Sequence, residues 1–254
     1  MSGDTLATPP SASTLLQILR AEGVRVQEYD GWRTHNRNSK GPFGPLHGVM
    51  IHHTVTKGTK NTVDICRKGY SGLPGPLCHG VIAKDGTVHL IGWGRANHAG
   101  LGDDDVLRAV IDEKPLPAAN EANTDGNRHF YGFECENLGD GRDPWPEAQL
   151  EAIERVSAAI CRHHGWNERS VIGHLEWQPG KVDPRGFTMA AMRARVKERL
   201  APATTYTVAK GDTLWSIAAT KLGDGNRWRE IAALNKLPDA DAITPGQKLT
   251  LPKK

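Results

Sequence analysis

The chain has 254 residues, 38% of them apolar and 24% charged, with a formal net charge of +3. That length holds one medium and one small domain, and that charge is too small to argue for nucleic acid as a partner. No apolar run approaches the roughly 18 residues needed to span a bilayer, so membrane insertion is excluded as an expectation.

Residues 1–12 are rich in Ser, Thr, Pro and Ala and are expected to be disordered or loosely tethered. They also lack the basic start and apolar core of a signal peptide. Ser13-Thr14 is placed to cap a helix over 15–22, with Leu15, Leu16 and Leu19 on one face. Gly23 ends it, and 24–28 alternates as a half-buried strand. Gly31 to Pro45 reads as a loop. Val49-Met50-Ile51 then reads as a buried strand carrying His52-His53 at its carboxyl end, where α/β folds collect site residues. Successive strand side chains point to opposite faces, so one of the two histidines faces a given site.

A short helix is predicted over 61–68, broken by Leu73-Pro-Gly-Pro76. The Asp85-Gly86 pair turns a hairpin between 77–82 and 88–91. A glycine-rich loop over 92–102 carries Trp93 and His98, and 103–128 reads as a longer loop, facing substrate or acting as a spacer. Phe130 to Glu136 alternates as a strand, with Glu134 and Glu136 on one side and Cys135 on the other. The clearest helix covers 146–164, where Leu150, Ile153, Val156, Ser157 and Ile160 follow helical spacing and Gly165 occupies the C′ position. Val171-Ile172 leads to His174, and a last helix spans 189–200. The four cysteines, Cys66, Cys78, Cys135 and Cys161, form no C-x-x-C pair and read as free thiols.

The chemistry concentrates in Val171 to Phe187. His174 and Asp183 lie nine positions apart across a Pro-Gly turn, which lets an imidazole and a carboxylate converge. Both are good ligands for a divalent metal such as zinc. Lys181, two residues before Asp183, faces the same way in an extended segment, where a cation steadies a developing oxyanion. Taken alone, the stretch reads equally as a polar surface loop with a capping Asp. One histidine of the 52–53 pair, His174 and Asp183 together give three ligands with a fourth position open, the arrangement of a catalytic zinc.

Ile51-His-His-Thr54, Asn97-His-Ala-Gly100, Gly132-Phe-Glu-Cys-Glu136 and Gly173-His174 with Lys181-Val-Asp183, in that order, resemble the zinc N-acetylmuramoyl-L-alanine amidases, a family similar to peptidoglycan-recognition proteins and phage amidase lysins. The resemblance covers roughly residues 45–195. It implies an α/β fold with a mixed central sheet flanked by helices, one zinc ion, and hydrolysis of the amide joining muramic acid to L-alanine. It selects His52 over His53 as the first ligand beside His174 and Asp183, and places His98 near the substrate. Many members carry a Tyr where this chain has Cys78, which shifts the proton-handling role to Glu134, with Glu136 as its competitor and Lys181 as the oxyanion stabiliser. Trp93, Trp145 and Trp177 are read as core or as sugar platforms, and His35, His79, His89, His129, His163 and His164 as structural.

After a linker at 201–205, Val208-x-x-Gly-Asp-Thr-Leu214, Ile231-x-x-Leu-Asn235 and Pro245-Gly-Gln-x-Leu249 resemble a LysM module over 206–252. That implies a small βααβ domain binding N-acetylglucosamine-containing glycan, through a groove formed by Gly211, Asp212, Thr213, Leu214, Ile243 and Thr244. Together these readings give an N-terminal segment (1–44), a zinc amidase (45–200) and a wall-binding domain, expected as a monomer without nucleic-acid partners. A phage endolysin is expected, made in the host cytoplasm and reaching the wall after membrane permeabilisation. A bacterial autolysin and a non-catalytic peptidoglycan-binding protein are the alternatives.

Overall fold

The computed structural model describes residues 7–202 and 204–252, and the chain divides into two compact units, Met1–Leu200 and Ala201–Lys254. The first unit opens with α1 (Ala12–Ala21), β1 (Val26–Glu28), β2 (Gly48–His53) and α2 (Thr59–Lys68). Two short strands, β3 (Gly69–Tyr70) and β4 (Leu73–Pro74), pair with each other before β5 (Gly80–Ile82) and β6 (Val88–Leu90). A second short pair, β7 (Leu101–Gly102) and β8 (Thr124–Asp125), brackets α3 (Asp104–Ile111). Then follow α4 (Gly126–His129), β9 (Phe130–Cys135), α5 (Glu147–His164), β10 (Val171–Gly173), α6 (His174–Trp177) and α7 (Met189–Leu200).

Six strands form one mixed sheet in the order β1-β6-β5-β9-β2-β10. The neighbours β5, β9, β2 and β10 run parallel, while β6 returns antiparallel to β5 around the Asp85-Gly86 turn. Side chains of β2 alternate between two cores, as strand geometry requires. Val49 and Ile51 pack with Leu15, Leu16 and Leu19 of α1, Ile153, Val156 and Ile160 of α5 and Val196 of α7. Met50 packs on the other face with Phe130, Ile172, Trp177 and the α3 residues Val106, Leu107 and Val110. Because the sheet is covered on both faces, all six residues of β2 are buried.

Three elements differ from the sequence expectations. Residues 1–6 lie outside the described residues, but 7–12 are not loose: the Ala7 carbonyl accepts from the Leu46 N–H, and Ser11 rather than Ser13-Thr14 caps α1. The expected loop over 103–128 contains α3, whose first turn is held by the Asp103 carboxylate accepting from the N–H of Asp105 and Val106. Third, strand pairing in the second unit begins at Thr204, opposite Leu251, inside the stretch expected as linker. By contrast α5 ends where the spacing predicts, with Gly165 in the left-handed region at φ 74° and its N–H on the Cys161 carbonyl.

The second unit has β11 (Thr204–Thr207), α8 (Leu214–Leu222), α9 (Trp228–Leu234) and β12 (Lys248–Leu251), with β11 and β12 antiparallel. Val208, Leu214, Ile217, Leu222, Ile231, Leu249 and Leu251 form its core. No helix among the described residues is long and apolar enough to cross a membrane.

Candidate metal and catalytic site

Three parallel strands end side by side, and each delivers a polar residue at its carboxyl end. In register, Met50 lies beside Gly132 and His52 beside Glu134, so alternation puts both His52 and Glu134 on the sheet face shared by Met50 and Phe130. β10 ends at Gly173, and His174 opens α6 immediately after it. Glu176 fixes that turn by accepting from the Gly173 N–H and pairing in a fork with Arg193. The chain then folds back through Gly180, and the Leu175 N–H donates to the Asp183 carbonyl at 2.7 Å, which brings Asp183 over His174.

His52 Nδ1 and His174 Nδ1 stand 3.0 Å apart, and each is 3.1 Å from Asp183 Oδ2. Ligand atoms of all three residues fall within 4.8 Å of one another, a span one cation can bridge. His53 points elsewhere: its Nδ1 accepts from the Arg185 N–H. Burial lowers the His52 pKa to about 4, so that imidazole is neutral near pH 7. Burial alone would raise Asp183, but the His174 and His52 imidazoles beside it outweigh that and hold the carboxyl well below its usual range. A buried cluster of lone pairs facing inward is repulsive unless positive charge sits among them, and two imidazoles with one carboxylate are the ligand set zinc accepts. The residues therefore fit a zinc ion.

The three residues line an open cleft of about 430 Å³, whose other walls include Thr54, Val55, Tyr70, Leu73, Asn97, His98, Glu134, Lys181 and Val182. The two carboxylates of the β9 end differ sharply. Glu136 accepts from the Gly58 N–H and the Thr59 hydroxyl, holding the start of α2. Glu134 Oε2 is shielded from solvent and has no hydrogen-bond partner among the described residues. Burial first, then the Asp183 charge, raise the Glu134 pKa to about 8, with Lys181 acting against them. Lys181 itself is exposed on the loop that carries Asp183.

His98 lines the cleft beside His52, and both its ring nitrogens face protein atoms. Cys78 is wholly buried with Cys66, Val63, Val81 and Ile91, where burial pushes its thiol far up. Trp177 and Trp93 are core residues, and Trp145 packs edge-on against Phe187. His79 ties Gly132 to Gly94, and His164 accepts or donates at the Tyr131 hydroxyl. In the second unit Leu214 is buried and Ile243 packs on the core, whereas Gly211, Asp212, Thr213 and Thr244 stay at the surface. Asp212 does not cap α8; it accepts from the Ala209 N–H and the Tyr206 hydroxyl, and Thr213 is the cap.

Residues 42–186 match the family described as N-acetylmuramoyl-L-alanine amidase, and residues 206–252 match the LysM domain. Among curated proteins, the uncharacterized protein YqbP of Bacillus subtilis (strain 168) is 42% identical over 60 residues, covering 19% of this chain and 27% of that protein. The matched stretch thus spans about a quarter of the curated relative. Among solved structures, the endolysine N-acetylmuramoyl-L-alanine amidase LysCS from Clostridium intestinale URNW is 18% identical at a TM-score of 0.45, over 68% of this chain and 95% of that one. The hydrolase AmiA of Staphylococcus aureus is 11% identical at a TM-score of 0.47, over 76% and 93%.

Proposed function

The chain belongs to the N-acetylmuramoyl-L-alanine amidase family, and from that premise we propose that it is a zinc-dependent enzyme cleaving the amide between N-acetylmuramic acid and L-alanine in peptidoglycan. The observation that carries this reading is the convergence of His52, His174 and Asp183 in the wall of an open cleft also lined by Glu134 and Lys181. When bound by those three side chains, zinc supplies Lewis acidity toward the amide carbonyl. Glu134 takes a proton from the attacking water and returns it to the leaving nitrogen. Its unpartnered oxygen and raised pKa suit a group that must exchange a proton near neutrality. Lys181 opposes the negative charge that grows on the carbonyl oxygen.

In this reading the catalytic unit is residues 45–200, and the LysM domain at 206–252 holds glycan in the groove of Gly211, Asp212, Thr213, Leu214, Ile243 and Thr244, of which Gly211, Thr213 and Thr244 are exposed. A wall-cutting unit joined to a wall-holding one suits an endolysin, which is the biological role we assign. Mass spectrometry of products from purified peptidoglycan tests the activity. New L-alanine amino termini on intact stem peptides are expected, and cuts within the peptide or the glycan strand refute it. Stoichiometric zinc is expected in His53→Ala but not in His52→Ala, and the reverse pattern overturns the ligand assignment. Lysis of an expressing host only when a membrane pore is co-expressed is the result expected of an endolysin.

A further inference from the structure

His98 lies on the loop after β6, and Asn127 pins it there: one Asn127 side-chain oxygen accepts from the N–H of both His98 and Ala99 at 2.8 Å. Its ring rests against β9 at Gly132, where any Cβ would collide with it. The residue is 8% exposed, so only a small part of it reaches the cleft it helps to line. Its Nε2 is 3.2 Å from the Phe130 carbonyl oxygen, and its Nδ1 is 3.1 Å from His52 Nε2.

A backbone carbonyl only accepts, so His98 Nε2 is the nitrogen that carries hydrogen. A neutral imidazole has a single N–H, which leaves His98 Nδ1 as a lone pair. His52 Nε2 then donates to that lone pair. By the same count His52 Nδ1 bears no hydrogen, and this is the atom that faces His174 Nδ1 and Asp183 Oδ2. We propose that His98 is a positioning residue: through it the Phe130 carbonyl fixes His52 as the Nε2–H tautomer and keeps its Nδ1 lone pair aimed into the metal site. A substrate contact by His98 is the weaker reading, because both ring nitrogens are already engaged. The inference rests on the zinc reading above, since a fixed tautomer matters only if Nδ1 is to bind a cation. Outer partners of this kind orient a ligand histidine and raise its basicity.

Nitrogen NMR of the zinc-free full chain, with labelled imidazoles, reads the tautomers directly. His98 and His52 are both expected to be protonated at Nε2, and a proton on Nδ1 of either overturns the relay. Zinc affinity, measured by competition with a chelator, gives the second arm. His98→Leu, which cannot accept, is expected to weaken zinc by about 10–100-fold. His98→Asn, whose side-chain oxygen stands near the position of Nδ1, is expected to recover most of that loss. Unchanged affinity in His98→Leu, or an equal loss in both variants, overturns the proposal. If His98→Leu fails to fold, the tautomers of the unaltered chain still decide. Expected tautomers in a chain that takes up no zinc would support the relay while sinking the zinc reading itself.

Discussion

Glu134 is set apart from Glu136 by its partners rather than by its place in the sequence. One carboxylate is spent on the start of α2, while the other keeps an oxygen that no group among the described residues partners. Glu134→Gln preserves size and polarity but removes basicity, so it is expected to keep zinc and fold while losing ~10²–10⁴-fold in turnover. Hydrolysis of wall within a few-fold of wild type would assign the proton to another group. His79 gives a pH-dependent effect of a different kind. Burial lowers its pKa from 6.5 to about 4, and as a neutral ring it bridges Gly132 and Gly94. Between those values the unfolded chain binds the proton and the folded chain does not. The stability from His79 is thus fully present above about 6.5 and is lost as pH falls toward 4. Urea midpoints measured across that window should fall for wild type and fall less steeply for His79→Gln, and parallel slopes would remove His79 from the account. That His174 and Asp183 converge with one histidine of the 52–53 pair was legible in residue types and spacing, whereas the choice of His52 came from the family resemblance. The role of His98 was not legible, because its partner is a main-chain oxygen on a strand 32 residues away.

At the scale of elements, legibility followed the strength of local signals. The 18 residues of α5 combine sustained periodicity with a glycine stop, and β2 is a bare apolar run ending in two histidines. The helix α3 escaped because it is only 8 residues long and sits in a stretch rich in Asp, Pro and Asn. The signal was present in Asp103 ahead of Asp104 and Asp105, an N-cap followed by acidic residues in the first turn. Asp103 does more than cap. One oxygen receives the Asp105 and Val106 N–H groups, and the other receives those of Asn120 and Glu121. Asp103→Ala therefore leaves four donors to find water, and a loss of about 2 kcal/mol is expected. Chemical denaturation checks the figure, and a loss under a few tenths would show that the donors are readily resolvated.

Across the whole molecule, the two units carry separate cores and separate strand pairings. Cutting the chain after Pro202 is expected to leave a folded first unit that still cleaves soluble muropeptides but works poorly on intact wall, where a tethered glycan-binding domain raises local concentration. Equal retention of full-length and shortened protein on insoluble peptidoglycan would remove the LysM domain from that role. The sheet order has a further consequence, for the time course of folding. β2 is clasped between β9 and β10, so Gly48 must find Phe130 and Val49 must find Val171 before that end of the sheet exists. His52 and His174 are 122 residues apart in the chain. Loop closure on that scale comes before the contacts that repay it, which slows folding and places such contacts late. A nascent chain still short of Asp183 holds no complete set of ligands. A cation held by these three residues would therefore meet the finished unit, near the end of folding, rather than template an early one.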